Sequence, residues 1–218
     1  MNPLDLLRAR WHRTLHEVGS RSQYHKGNRL FDEILGAYSQ PHRHYHDWTH
    51  LASCFNVLDE YFPRLPGIGT VELALWFHDF VYDTHATDNE EKSAQFAEMK
   101  TQEVLGFDKP YAMLVASLVL ATKHVAIPRT AEARNLIDVD LSILGEEPAI
   151  FDEYETKIRL EYEWVPEEAF KAGRAKALQG FLKRPLIFHH VELRRLGYEE
   201  RARENMQRSL QKLGAPSD

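Results

Sequence analysis

The sequence predicts an all-α protein, and three observations support this fold class. Apolar residues recur at the three- and four-residue spacing of amphipathic helices through most of the 218 residues. The alternation of apolar and polar residues that marks a half-buried strand is nearly absent. Prolines and glycines fall between the periodic segments, where they end one helix and allow the next to begin. We therefore expect a helical bundle.

The first four helices are predicted from their apolar residues. Stripes at helical spacing run through residues 4–15, 30–38 and 51–62, and each predicts an amphipathic helix. The run from 71 to 81 is mostly apolar on all sides, which is typical of a buried helix.

The later helices are predicted from caps and prolines as well as from periodicity. Thr87 stands three residues before Glu90, which is the spacing of a capping box, and this predicts a helix to about Leu105. Pro110 fits the first turn of the next helix. The remaining helices are predicted near residues 111–124, 131–144, 148–162, 166–182 and 188–213.

Composition indicates one globular domain over residues 1–218. The chain is 43% hydrophobic and 28% charged, so it can bury a core. The candidate motifs described below lie in a core of about 38–162, and the C-terminal helices follow at about 166–213. We therefore expect one all-helical domain.

The charge and the single cysteine restrict the partners and the compartment. A formal net charge of -6 provides no general basic field, so we expect no extended nucleic acid partner. No run approaches the roughly 18 apolar residues of a membrane span, so we expect no membrane association. Cys54 is the only cysteine, which fits a reducing compartment, and we expect a cytoplasmic protein. Oligomerisation stays open.

Four of the twelve histidines fall within residues 41–50, in the sequence PHRHYHDWTH. Two of them, His46 and His50, are four residues apart where a loop passes into a helix. Both rings can therefore lie on neighbouring turns of one face. This spacing alone does not indicate a metal site, because solvated or hydrogen-bonded imidazoles in a histidine-rich segment would give the same pattern.

An adjacent histidine and aspartate interrupt the apolar run LALWFHDFVYD. Burying the carboxylate of Asp79 without a partner would cost several kcal/mol, so something must pair with it. A divalent cation bound by His78 and Asp79 would satisfy both side chains. A helix cap or a pairing with an arginine would also satisfy the carboxylate.

A third segment, NLIDVDLSILG, also places acids between apolar residues. Asp138 and Asp140 are two apart and point in different directions on a helix, so only one is expected to reach a shared centre. With Asp140, the residues His50, His78 and Asp79 would form a site of two histidines and two carboxylates. Such a site suits Mn, Zn, Fe, Mg, Co or Ni and leaves positions for water and substrate.

The order of these segments resembles the HD-domain superfamily of metal-dependent phosphohydrolases. The run HRHYHDWTH, LWFHDFVYD, TDNEEKSA, ATKH and DVDLSILG is similar to an uncharacterised bacterial group of predicted HD phosphohydrolases, over residues of about 38–162. The resemblance implies hydrolysis of a phosphomonoester or phosphodiester by metal-activated water. It also implies a small-molecule phosphate substrate, plausibly nucleotide-like.

Two segments resemble the related cyclic-nucleotide phosphodiesterases. YHDWTH resembles their paired-histidine segment, which implies that His50 binds the metal and that His46 protonates the leaving group. DLS, which begins at Asp140, resembles their distal aspartate segment. The chain lacks the HDxxE pattern of several HD groups, because Tyr82 occupies the third place after Asp79. The identity of the general base is therefore open.

Further residues near the motifs have two interpretations each. Asp83, four residues after Asp79, would share its helix and orient the attacking water, or it is a surface acid. His124 resembles a histidine that some HD enzymes use for a second metal or for phosphate, or it is a helix-terminal histidine favoured by the dipole. Lys123 and Arg43 would clamp a phosphate, or they are solvated charges.

Two classes of function fit this pattern. The first is a metal-dependent phosphohydrolase, which the complete set of ligand-type side chains favours. The second is a non-catalytic module that keeps a metal and binds or senses a nucleotide. Turnover of a phosphate ester by the metal-loaded protein would distinguish them.

Overall fold

The computed structural model describes residues 2–20, 22, 24–63 and 65–215, and these residues form α-helices with no β-strand. The predicted all-α class is confirmed. In chain order the helices are α1 (Pro3–Glu17), α2 (Tyr24–Tyr38), α3 (Trp48–Tyr61), α4 (Ile68–Phe77), α5 (Asn89–Glu103), α6 (Lys109–Ala121), α7 (Ala131–Asp140), α8 (Pro148–Glu161), α9 (Glu167–Leu182), α10 (Val191–Arg195) and α11 (Tyr198–Lys212). A 3₁₀ turn, Leu141–Gly145, follows α7. None of the described helices is long and apolar enough to cross a membrane.

Helix α4 ends at Phe77, four residues before the predicted end at 81. Continuing the helix would need a hydrogen bond from the amide of Asp79 to the carbonyl of Leu75. That carbonyl instead lies 2.8 Å from Nδ1 of His78, and the amide of Asp79 donates to the hydroxyl of Tyr38 at 3.1 Å. Side chains have replaced the helical bond, so the chain leaves the helix where the His-Asp pair begins.

Two further predictions about helix ends are wrong. Asp88, rather than Thr87, is the N-cap of α5, and its side chain makes no capping hydrogen bond, so the predicted capping box is absent. The helix predicted over 188–213 is divided into α10 and α11. Gly197 separates them with a φ of 79°, a left-handed conformation that ends a helix and that glycine adopts without strain.

The chain divides into two compact units, residues 1–137 and residues 138–218, with the boundary in the last turn of α7. The predicted organisation as one domain stays a prediction. In the second unit, α11 packs against the 3₁₀ turn, α8, α9 and α10. Gly145 is needed at the 3₁₀ turn, because a Cβ there would lie 2.6 Å from the ring of Tyr198.

Helix α4 is the centre of the first unit. It packs against α1, α3, α5 and α6, and every side chain from Val71 to Phe77 is buried. Trp76 makes an edge contact with Trp11 of α1, with ring centroids 5.4 Å apart. The buried helix predicted for this segment is therefore confirmed, and its end carries His78.

A buried polar network joins α1 to α4. The guanidinium of Arg10 binds the carboxylate of Glu72, which is 1% exposed, and it also binds the half-exposed Asp59. The hydroxyl of Thr14 donates to Glu72 and accepts a hydrogen bond from the indole of Trp76 at 3.2 Å. The network fixes the position of α4, so it also supports the segment that begins at His78.

We predict that Glu72→Ala lowers the free energy of unfolding by about 3 to 5 kcal/mol, because it leaves the buried charge of Arg10 without its buried partner. Urea unfolding followed by circular dichroism measures this change. Asp59→Ala is the matched control, and it should cost at most about 1 kcal/mol because Asp59 is half-exposed. Equal losses in the two variants would contradict this account of the network.

Candidate metal centre

Helix caps and helix ends position the side chains of the candidate metal centre. Asp47 is the N-cap of α3, and its carboxylate accepts hydrogen bonds from the amides of Thr49 and His50. This cap is expected from the sequence DWTH, since aspartate is favoured there. It places the ring of His50 in the first turn of α3, and the end of α4 supplies His78 and Asp79.

Three ligand-type atoms converge at this point in the first unit. Nε2 of His50 lies 3.2 Å from Nε2 of His78, which lies 3.0 Å from Oδ2 of Asp79. The third separation, from Nε2 of His50 to Oδ2 of Asp79, is 3.7 Å. Both imidazoles are buried, and the side chain of Asp79 is 18% exposed. The cluster is therefore largely enclosed, with its carboxylate reaching toward solvent.

The hydrogen bonding of His78 determines which of its nitrogens is available. A carbonyl oxygen only accepts, so Nδ1 carries the proton that is shared with Leu75 at 2.8 Å. The neutral ring then has a lone pair on Nε2, the atom that faces His50 and Asp79. Fixing one ring nitrogen by a hydrogen bond to a carbonyl is the usual arrangement in metal-binding histidines.

The separations of these atoms fit one divalent cation. Lone pairs of His78 and Asp79 that face each other at 3.0 Å repel unless a proton or a metal ion lies between them. Ligands about 2.1 Å from one ion lie about 3.0 to 3.4 Å apart when the angles are octahedral or tetrahedral. The observed separations are close to this range, so the His-Asp cluster can hold a metal ion.

Asp140, the fourth sequence-predicted ligand, is the last residue of α7 and is partly buried. It belongs to the second unit, whereas His50, His78 and Asp79 belong to the first. Within the first unit the structure brings together two imidazoles and one carboxylate of the predicted set. Metal binding by these four residues stays a prediction.

The negative charge of the Asp79 carboxylate suits a metal ligand. Burial acts to raise the pKa of its carboxyl group, but the imidazoles of His78, His46 and His50 act in the opposite direction when they are protonated. The net effect holds the pKa of Asp79 well below its usual range. At neutral pH the group is an anionic carboxylate, which is the form that binds a cation.

His46, the predicted proton donor, lies beside the cluster. Its ring stacks on Tyr82 with centroids 4.4 Å apart and meets the ring of His50 edge-on at 5.8 Å. Tyr82, which occupies the third place after Asp79, thus holds the ring of His46. The carbonyl of Tyr82 is 3.0 Å from Nε2 of His42.

Asp83 was expected to share a helix with Asp79, and this expectation is wrong because α4 ends at Phe77. The side chain of Asp83 is exposed, and its carboxylate binds the amide and the ring of His85 at 2.9 and 3.2 Å. Asn89 binds the backbone of Asp83 through both its oxygen and its nitrogen. The water-orienting role of Asp83 stays a prediction.

Lys123 and His124 follow the end of α6, which is at Ala121 rather than at the predicted 124. The ammonium of Lys123 binds the carboxylate of Glu91 and the carbonyl of Thr87. It thereby ties the end of α6 to the start of α5. His124 has a φ of 57° and lies outside the helix. Contacts of both residues with substrate stay predictions.

Two residues, Tyr38 and Arg43, support the cluster in ways that the sequence does not predict. The sequence indicates Tyr38 only as an apolar member of a helical stripe, yet its hydroxyl binds the amide of Asp79. Burial raises the pKa of Tyr38 above its ordinary value, so the hydroxyl stays protonated. The sequence predicts that Arg43 clamps a phosphate or is a solvated charge, but the residue is buried and its guanidinium donates to backbone carbonyls of His46, Asp79 and Phe80. No local pattern indicates either role.

Asp138 belongs to the second unit, and its carboxylate binds the backbone just before α10. It is fully buried, and its carboxylate accepts hydrogen bonds from the amides of His189 and His190. Burial raises the pKa of Asp138 to about 7, although these two amides act to lower it. The buried acid that the sequence left without a role is thus satisfied by backbone amides.

Comparison of the chain with protein-family models, with curated proteins and with solved structures finds no match. The functional assignment therefore depends on the geometry of the cluster and on the order of the motif segments. Both are properties of the chain itself.

We predict that Asp138→Asn flattens the dependence of stability on pH. The folded pKa of about 7 exceeds the unfolded value of about 3.9, so the folded state binds more protons between these limits. The contribution of Asp138 to the free energy of unfolding is thus largest below pH 4 and falls as the pH rises to about 7. Urea unfolding at several pH values measures this slope in both proteins.

Asp152→Asn is the control with the opposite sign. Arg208 and Lys212 lower the pKa of Asp152, so its stabilising contribution is lost as the pH falls.

Metal affinity provides a second comparison, because Asp138→Asn should leave Mn²⁺ binding intact and Asp140→Asn should weaken it. A slope unchanged by Asp138→Asn would contradict the raised pKa.

Proposed function

We propose that the protein is an HD-type, metal-dependent phosphohydrolase. The observation that carries the proposal is the convergence of Nε2 of His50, Nε2 of His78 and Oδ2 of Asp79 within 3.0 to 3.7 Å. Two imidazoles and a carboxylate form a typical ligand set for Zn, Mn or Fe ions in hydrolytic sites. The order of the motif segments, which resembles HD enzymes, supports the same function.

Hydrolysis of a phosphate ester needs charge neutralisation, an activated water and a proton donor. A divalent cation held at this cluster would supply the first two, because such an ion neutralises phosphate charge and can lower the pKa of water from about 15.7 toward 7. The chain would hold the ion through His50, His78, Asp79 and Asp140. Because Asp79 is anionic at neutral pH, the protein would bind the ion without having to lose a proton from that group.

His46 is the proposed proton donor to the leaving oxygen. Its ring lies next to that of His50 but is not one of the three converging ligands, so it can act on a substrate bound at the ion. The stack on Tyr82 restricts the orientation of the ring. Proton transfer by such a positioned group contributes about 10² to 10⁴ in rate.

The proposed substrate is a small phosphate ester, plausibly a nucleotide-like one. The formal charge of -6 disfavours a long polyanion, which needs a basic surface. Lys123 and His124, which follow α6, are the proposed phosphate contacts, and Asp83 is the proposed water-orienting group. The single cysteine supports a cytoplasmic location as part of the same proposal.

We predict that His50→Ala and His46→Ala have different effects on metal binding and on hydrolysis. His50→Ala should abolish both stoichiometric Mn²⁺ binding and hydrolysis, because it removes a ligand. His46→Ala should keep the metal but lower kcat by about 10² or more on alkyl phosphates, whose leaving oxygen needs a proton. On 4-nitrophenyl phosphate its effect should be much smaller, because that leaving group needs little protonation. Steady-state kinetics and elemental analysis measure these effects.

His25→Ala is the matched control, since this exposed histidine on α2 should affect neither metal content nor rate. Equal rates for His46→Ala and the parent protein on both ester types would refute the role of His46. If the metal-loaded protein hydrolyses no phosphate ester, the enzyme assignment fails, and a non-catalytic module that binds a nucleotide becomes the better account.

A further inference from the structure

Arg43 is buried although its neighbours His42 and His44 are exposed. Its guanidinium donates from Nη1 to the carbonyls of His46 at 3.1 Å and of Asp79 at 2.6 Å. It also donates from Nη2 to the carbonyl of Phe80 at 2.9 Å and from Nε to the amide oxygen of Gln40 at 3.2 Å. One side chain thus joins the segment that holds His46 to the segment that follows α4.

Two of the carbonyls that Arg43 binds, those of Asp79 and Phe80, lie just past the end of α4. The last carbonyls of a helix, and those of the turn after it, need donors from elsewhere, and a cation is favoured at this end by the helix dipole. The guanidinium supplies both several donors and a positive charge. Since α4 ends early at Phe77, Arg43 compensates for hydrogen bonds that a longer helix would have made internally.

The peptide groups on either side of Asp79 are held by two side chains. The hydroxyl of Tyr38 binds the amide of Asp79, and Arg43 binds its carbonyl. The guanidinium also lies over the rings of Tyr38 and Tyr82, at 5.2 and 5.4 Å from their centroids. Tyr82 in turn stacks on His46. Contacts of Arg43 therefore extend from the carboxylate ligand to the proposed proton donor.

We propose that Arg43 is a positioning residue that sets the geometry of Asp79 and His46 at the metal centre. This inference rests on the proposed metal-binding function and gives Arg43 a role other than contact with a phosphate. The side chain is 5% exposed, and four of its five N–H groups donate to protein oxygens. A phosphate clamp would instead present its donors to solvent in the free protein.

Arg43→Lys tests this role, because an ammonium keeps the charge but cannot reach three carbonyls and Gln40 with the planar fork of arginine. Metal-free protein is titrated with Mn²⁺ alone, and binding is followed by calorimetry. We expect Arg43→Lys to weaken Mn²⁺ binding by about 10- to 100-fold, which is the range for residues that orient metal ligands. The absorption bands of the Co²⁺-loaded protein should also change, since they report ligand geometry.

Arg159→Lys is the matched control. Arg159 also donates to two backbone carbonyls past a helix end, those of Tyr162 and Val165, and it pairs with Glu167. It serves α8, and its replacement by lysine should leave Mn²⁺ affinity and the Co²⁺ spectrum unchanged. Thermal unfolding of the metal-free proteins measures how far each substitution affects folding alone.

Tyr38→Phe provides a second test if Arg43→Lys does not fold. It removes only the hydroxyl that binds the amide of Asp79, and it should also weaken Mn²⁺ binding, by about 10-fold.

Unchanged Mn²⁺ affinity in a folded Tyr38→Phe or Arg43→Lys variant would overturn the inference without contradicting the metal site itself. Unchanged Mn²⁺ affinity with weaker binding of inorganic phosphate to Arg43→Lys would favour the phosphate clamp instead. A parent protein that binds no divalent ion would overturn the proposed function and this inference together.

Discussion

The contact between Nδ1 of His78 and the carbonyl of Leu75 is the interaction on which the rest of the site depends. It occupies the acceptor that a continuing helix would use, so α4 ends and the chain turns at Asp79. It also places the proton of His78 on Nδ1, which leaves Nε2 with a lone pair facing His50 and Asp79. One hydrogen bond thus helps to end α4 and also directs the lone pair of His78 Nε2 toward the cluster.

The surrounding helices make this arrangement rigid. Helix α4 is buried from Val71 to Phe77, and the charge network of Arg10 and Glu72 joins it to α1. Tyr38, at the end of α2, and Arg43 hold the backbone on either side of Asp79. A site held by helices and by buried hydrogen bonds keeps its ligands in place better than a site on a loop, which is what metal binding requires.

The fold class and most of the ligand-type residues could be predicted from the sequence, because both depend on local signals. Apolar periodicity indicates helices, and a His-Asp pair within an apolar run is unusual enough to indicate a site. The end of α4 could not be predicted, because besides the contact of His78 with Leu75 it depends on Tyr38, which lies about 40 residues earlier in the chain. The contacts of Arg43 were missed for the same reason, since burial of a charged residue in a polar segment has no sequence signal. Only the fold brings these partners together.

The most direct test of the central claim is anomalous diffraction from crystals of the protein loaded with Mn²⁺ or Zn²⁺, collected at the absorption edge of the metal. We expect one strong peak about 2.0 to 2.2 Å from Nε2 of His50, Nε2 of His78 and a carboxylate oxygen of Asp79. Nδ1 of His78 should keep its contact with Leu75. A protein that is fully loaded by elemental analysis but shows its peak at other residues, or no peak at this cluster, would contradict the account.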